Sequence, residues 1–206
     1  MSDPYTAKAA SDASPSEKIS EFKDKIMAEA KFAMLTTRAH DGTLHSRAMS
    51  PASSQGLVFS FIANTDSGKF DELEHDENVN VSWSDPSTTD WASAAGKAKV
   101  IKDVEVIKKL WHPALKAWFG DKKDGVHNGE PEDPRVAVLE VIPSEIRYVN
   151  RCSVRAQNWV KTRTSLGQTV EVLKGAVTGE TASPGHLRVI SAKDLELARQ
   201  VDSKQI

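Results

Sequence analysis

Ser67-Gly68-Lys69 directly follows the apolar run Leu57 to Thr65, which places a hydroxyl and an ammonium where a strand enters a helix. Such a corner suits a phosphate. The first amides of a helix lack intrahelical partners and carry the positive end of its dipole, so an anion there gains hydrogen bonds and charge complementarity together. Taken alone the pattern is also that of an ordinary N-cap. Upstream, Arg47 adds a guanidinium, which can engage two oxygens of a phosphate monoester while an ammonium supplies a compact point charge. His45, two positions earlier, shares the strand face of Arg47 and is the one histidine placed to donate to a ligand, although a structural histidine fits the same position.

The elements that position these groups are legible from turn chemistry and alternation. Phe32 to Ala39, the turn His40-Asp41-Gly42-Thr43 and Leu44 to Met49 read as strand, turn, strand, because Asp41-Gly42 supplies the positive-φ residues of a tight hairpin. Arg47 lies on the second strand, and a third, Leu57 to Ala63, ends at the Ser67/Lys69 corner. If those strands are neighbours, one Arg, one Lys, a Ser hydroxyl and helix amides converge on one dianion. Ser14-Pro15-Ser16-Glu17 predicts a capped helix start, with Ile19, Phe22, Ile26, Met27 and Ala30 forming its apolar stripe. Asn78 to Trp83 alternates like a half-buried strand. Trp91 to Ile101 is a longer strand broken at Gly96. Arg135 to Ile142 is another, Pro143-Ser144 is expected to interrupt it, and Glu145 to Val149 is read as the last strand. Asp103 caps a helical segment from Val104 towards Phe119 that Pro113 disturbs, and the charged stretch Gly120 to Pro134 is a loop. Six or seven strands with local connections favour a mainly β, antiparallel barrel with flanking helices over a doubly wound sheet.

Composition excludes more than it assigns. The 206 residues carry a formal net charge of −2, with basic and acidic side chains interspersed, so neither nucleic acid nor an anionic membrane is an expected partner. A single cysteine, Cys152, rules out an internal disulfide, and no early apolar segment of signal-peptide length is present. A cytoplasmic protein is the default expectation. The six histidines show no HxxxH or HxH spacing, so no metal site is expected, and neither Ser67 nor Cys152 has a sequence-evident base. Residues 1 to about 13 are a small, polar tail expected to be disordered.

Phe32-Ala33-Met34-Leu35-Thr36-Thr37, Asp41-Gly42, His45-Ser46-Arg47-Ala48-Met49, Ser67-Gly68-Lys69, Gly96-Lys97-Ala98, Leu110-Trp111 to Ala117-Trp118-Phe119, and Lys174-Gly175-Ala176-Val177-Thr178-Gly179 follow one another in a particular order. In that order the chain resembles the flavin-binding split β-barrels related to pyridoxamine phosphate oxidase, in the general-stress-protein branch that includes blue-light-inducible fungal proteins. The resemblance spans about Ser16 to Gly179. It implies a homodimer with FMN at the interface, phosphate held by Arg47 and Lys69 with Ser67 assisting, and Ser46, Arg47, Ala48 and Met49 with Ile62, Ala63 and Asn64 along the ribityl and ring portions. Trp111 and Trp118 are then contacts to a flavin, or else core and interface packing.

It also implies one FMN-binding domain over residues 14–179, with 180–206 as a C-terminal extension. The expected function is a flavin-dependent oxidoreductase of unknown substrate linked to stress response, working with a small-molecule electron donor or acceptor. The rivals are a non-enzymatic flavin store or sensor, and a split barrel for haem or a deazaflavin. Two departures separate the chain from true pyridoxamine phosphate oxidases. Ser153 to Val160 and the segment Gly179 to Gly185 replace the Arg-bearing end that grips substrate phosphate, and Ala48 stands where many relatives have Pro.

Overall fold

The computed structural model describes residues 13–28, 30, 32–86, 88–150, 159–163, 169–173 and 186–202. The tail before residue 13, Cys152, the Lys174–Gly179 motif, the Gly179–Gly185 segment and most of Ser153–Val160 lie outside the described residues.

Helix α1 (Pro15–Glu21) begins with the capping box legible in the sequence: Ser14 Oγ accepts from the Glu17 amide, and the Ser14 amide donates to Glu17 Oε2 at 2.7 Å. It continues as a wider helical turn over Phe22–Met27. That turn buries Phe22 and Ile26, the Phe22 ring packing against Phe59, Trp83 and Tyr148. Strands β1 (Ala33–Arg38) and β2 (Leu44–Met49) form the expected hairpin, with Gly42 at φ 87° where an L side chain is strained.

Strands β3 (Phe59–Asn64), β4 (Asn78–Ser84), β5 (Trp91–Ile101) and β6 (Val136–Asn150) extend this sheet in the order β2-β1-β4-β5-β6-β3, every pairing antiparallel. Strands β7 (Trp159–Arg163) and β8 (Thr169–Leu173) pair separately, and β9 (His186–Ile190) adds the seventh strand by pairing with β6. Among the described residues four more helices flank the sheet: α2 (Lys69–His75), α3 (Val104–Leu110), the short α4 (Lys116–Phe119) and α5 (Ala192–Asp202). The sheet is not closed. Its edges β2 and β3 lie at opposite ends of the strand order.

The expected strand end at Pro143 is overturned. The interruption at Pro143 does not end a strand: β6 runs from Val136 through Pro143 to Asn150, and β9 follows it. The reason lies across the ladder. At Gly96 the register of β5 shifts, and a Cβ there would stand 2.3 Å from the Ile142 carbonyl oxygen and 2.7 Å from Pro143 Cα. The missing side chain lets the two backbones close together at the bulge. Pro143 donates no ladder hydrogen bond, and beside it Ser144 Oγ donates to the Ala95 carbonyl at 3.1 Å. Past this point β6 exchanges neighbours: Val136 to Val141 pair with β3, Ile146 to Asn150 with β9.

The main core gathers Leu35, Phe59, Phe61, Val81, Trp83, Leu139, Ile146 and Tyr148. Helix α5 contributes Leu195 and Ala198 to it. A clasp joins the chain's two helical ends over this core: Lys18 Nζ pairs with Asp194 Oδ2 at 2.7 Å, while Glu21 takes Arg188, Tyr148 and Asn150 at 2.6, 2.9 and 2.8 Å.

A smaller core holds Ile107, Phe119, Val136 and Val138. It is pinned by Asp133 and Arg135. The Arg135 guanidinium, 5% exposed, donates to both Asp133 oxygens and to the carbonyls of Phe119 and Gly120 at 2.8 and 2.9 Å. Arg135 thereby holds the Asp133 carboxyl well below the usual carboxylate range against the cost of burial.

Two stability measurements follow. Gly96→Ala forces a Cβ against backbone and is expected to destabilise by about 1–3 kcal/mol or more in chemical denaturation; an unchanged midpoint would show that the two strands do not meet there. Asp133→Asn strands a buried guanidinium and should cost about 3–5 kcal/mol at neutral pH. Because the folded-state value is depressed, the Asp133 contribution is present above the ordinary carboxylate range and disappears as pH falls below it. Wild type and Asp133→Asn should therefore converge in stability in acid, and a gap that persists there would count against the pair as its source.

Candidate functional site

Register decides which side chains of the first hairpin meet. Leu35 faces Arg47 and Thr37 faces His45, so the inward-facing Thr37, 1% exposed, lies beside both His45 and Arg47. Ser46 and Thr36 share the other face, their hydroxyls 2.6 Å apart.

Helix α2 closes the group. Its N-cap is Gly68, and Ser67 does not act as the side-chain cap: its Oγ donates to the Asn64 carbonyl at 2.8 Å and accepts from Lys69 Nζ at 2.5 Å. Phe70 and Leu73 anchor α2 inward. Glu72 then reaches across to the hairpin, where its Oε2 accepts from Arg47 Nη2 at 3.0 Å and from Thr37 Oγ1, and its Oε1 accepts from His45 Nδ1 at 2.6 Å. Arg47 Nη1 donates to Thr37 Oγ1 at 2.5 Å. Burial pushes the Glu72 carboxyl up, and the hydrogen bonds from Thr37, His45 and Arg47 outweigh it, leaving the group below its ordinary value.

Lys69 has no comparable partner. Its ammonium bonds to Ser67 and lies 5.4 Å from the Phe70 ring centre, and it makes no ion pair among the described residues. Burial lowers its pKa and the nearby Arg47 charge lowers it further, with Glu72 acting the other way. Two cations against one carboxylate leave an excess of one positive charge in a partly buried corner. An anion relieves that excess.

The other sequence-predicted residues distribute as follows. Met49 packs between the main core and the Ala63, Phe70 and Ala137 cluster, which brings the end of β2 against the end of β3 although the two are not paired. Ala48 is exposed. Asn64 accepts the Asp66 amide on its side chain and the Ser67 hydroxyl on its carbonyl, shaping the turn into α2. Ile62 and Trp111 pack on the smaller core, where the Trp111 ring lies 5.9 Å from that of Phe119. Trp118 is 84% exposed, away from both cores. The expected helix from Val104 stops at Leu110, and Pro113 starts a short 3-10 turn that leads into α4.

Arg47, Lys69, Ser67 and His45 therefore come together, and Trp118 stands apart. Sequence reasoning missed Thr37 and Glu72. Glu72 follows Lys69 at helical spacing, but in the sequence it reads as one more acidic residue of a charged helix. Among the described residues no three His, Cys, Asp or Glu side chains gather to hold a metal, and no helix is long and apolar enough to cross a membrane. The Ser67 hydroxyl donates to the Asn64 carbonyl and accepts from the Lys69 ammonium, an arrangement that suits binding of an anion.

Comparison with known proteins bears on the family and the fold. The model of the family "Pyridoxamine 5'-phosphate oxidase like" matches residues 17–183. Protein bli-3 of Neurospora crassa is 39% identical over 174 residues, covering 83% of this chain and 78% of its own. General stress protein 26 of Bacillus subtilis is 30% identical over 112 residues, 53% of this chain and 73% of its own. Among solved structures, a pyridoxamine 5'-phosphate oxidase-related, FMN binding protein from Nostoc punctiforme superposes with a TM-score of 0.52 at 17% identity, covering 79% of this chain and 98% of its own. With the split antiparallel sheet and a family match over most of its length, this chain belongs to the pyridoxamine 5'-phosphate oxidase-like family.

Proposed function

We propose that this protein binds FMN and serves as a flavin-dependent oxidoreductase of the stress-protein type. The observation that carries the reading is the cation pair Arg47 and Lys69, only partly compensated by Glu72, held at the corner between β2 and α2. A phosphate monoester fits this donor set: Arg47 keeps N–H groups beyond those given to Thr37 and Glu72, and Lys69 lies beside Arg47 with a hydroxyl at hand. The described kinship with an FMN binding protein supports FMN as the ligand. Arg47, Lys69 and Ser67 would hold the phosphate. The backbone and side chains of Ser46 to Met49 and Ile62 to Asn64 would border the rest of the ligand. When bound, the flavin supplies the electron or hydride transfer, and the protein binds, orients and excludes water.

Strand β2 supports a homodimer. It is an edge strand on which Leu44, His45, Ser46 and Ala48 are exposed, Leu44 by 66%. An edge so bare is normally covered. A non-enzymatic flavin carrier is the second reading, and it has its own observation: the His45 imidazole is engaged by Glu72.

Arg47→Ala and Lys69→Ala each remove a charge-assisted hydrogen bond worth about 1.5–3 kcal/mol, so FMN affinity should fall roughly ten- to a hundredfold in fluorescence titrations while riboflavin affinity hardly changes. Equal losses for both flavins would refute the phosphate assignment. Light scattering of the FMN-loaded protein at micromolar concentration should give a dimeric mass; a monomer retaining FMN would exclude a shared site. Anaerobic reduction of the bound flavin by NADH or NADPH separates enzyme from carrier, the carrier reading being favoured by a flavin that neither donor reduces.

A further inference from the structure

Glu72 is the most heavily engaged side chain near the cation pair, and the anion-binding reading gives it no task. An acidic group beside a phosphate site is unfavourable on charge alone, since like charges close together repel. Its geometry explains its place. One oxygen takes both Arg47 Nη2, at 3.0 Å, and the Thr37 hydroxyl, and Thr37 in turn accepts from Arg47 Nη1. The guanidinium is thus fixed along one edge by two groups that are bonded to each other. Its remaining donors are left pointing away from that edge. Thr37 is 1% exposed and the Glu72 side chain 13%, so this brace sits behind Arg47 and does not compete from solvent. The second Glu72 oxygen fixes His45 through Nδ1, which leaves Nε2 as the outer ring nitrogen. Helix α2 carries both Lys69 and Glu72, so one helix sets one cation directly and the other through a carboxylate.

We propose that Glu72, with Thr37 behind it, is a positioning residue that holds Arg47 in a preformed orientation for a phosphate monoester. The inference rests on the FMN reading above. An arginine already held in place loses less side-chain freedom when the ligand arrives, so the brace contributes affinity although it carries the wrong charge.

The test titrates FMN and riboflavin into wild type, Glu72→Ala, Glu72→Gln, Thr37→Val, Arg47→Ala and the double variant Arg47→Ala/Glu72→Ala. Glu72→Ala should weaken FMN about tenfold and leave riboflavin within about twofold. Glu72→Gln keeps an acceptor for Arg47 and loses the repulsive charge, so it should bind FMN at least as tightly as wild type. Thr37→Val, which keeps the buried volume, should show a smaller loss confined to FMN and serves in place of Glu72→Ala if that variant does not fold. On the Arg47→Ala background, Glu72→Ala should cost FMN nothing further, because the brace then has nothing to hold. Tighter FMN binding by Glu72→Ala, or equal losses for FMN and riboflavin with a lowered melting temperature, would overturn the positioning role while Arg47→Ala still loses FMN selectively. If Arg47→Ala itself shows no FMN-selective loss, the phosphate reading falls and the inference falls with it.

Discussion

The architecture depends on the close approach of β5 and β6 at Gly96. A fifteen-residue strand cannot stay flat against two different neighbours, and β6 has β3 on its first half and β9 on its second. The bulge lets β6 bend while β5 follows it along its length. Bending turns β3 back towards the far edge of the same sheet, so that α2, which leaves β3, can land on the β1–β2 hairpin. Without a glycine at this position the backbones would have to separate, since real Cβ atoms do not approach an oxygen at 2.3 Å. The cation pair at the corner is a downstream consequence of that bend.

The chain's two ends are drawn into the same frame. Lys18 to Asp194 and Glu21 to Arg188 tie α1 to the β9–α5 unit, and Arg199 donates to the Pro143 carbonyl at 2.8 Å, on the residue that stands at the bulge. On the opposite side, the Asp133–Arg135 pair holds the end of α4 to the start of β6, and the Arg135 carbonyl accepts the Thr65 amide at 2.8 Å just beyond β3. The turn that carries Ser67 and Lys69 is thus fixed from behind by backbone that a buried ion pair has already fixed. Such a pair is a poor source of net stability but a strict source of geometry, because neither member tolerates the loss of the other.

Electrostatics at the corner follow the same logic of partial compensation. A fully neutralised cluster would have no use for a ligand, and two bare cations would repel one another apart. One carboxylate between them, saturated by Thr37, His45 and Arg47, holds the group together and leaves one charge over. Burial first, and then the neighbouring Arg47 charge, lower the Lys69 pKa.

Much of this was legible in the chain. Asp41-Gly42 requires a hairpin because glycine adopts φ 87° freely, Ser14 to Glu17 requires a helix start because the box satisfies its own orphan amides, and alternation marks the inner faces of β4 and β5. The candidate cations were legible too, as residue types at a strand-to-helix corner. Pro143 misled because proline breaks a ladder hydrogen bond locally, and only the partner strand reveals that Gly96 accommodates it and that Ser144 supplies a bond beside it. The ordinary N-cap reading of Ser67 does not hold, its hydroxyl turning back to Asn64 and leaving Gly68 as the cap. Local sequence determines elements because turns, caps and alternation are satisfied within a few residues. That β2 and β3 are opposite edges and not paired neighbours, that α2 spans the gap, and that Glu72 meets Arg47 from 25 positions away were decided by tertiary structure. Those contacts depend on how one sheet bends, and no spacing along the chain records that curvature.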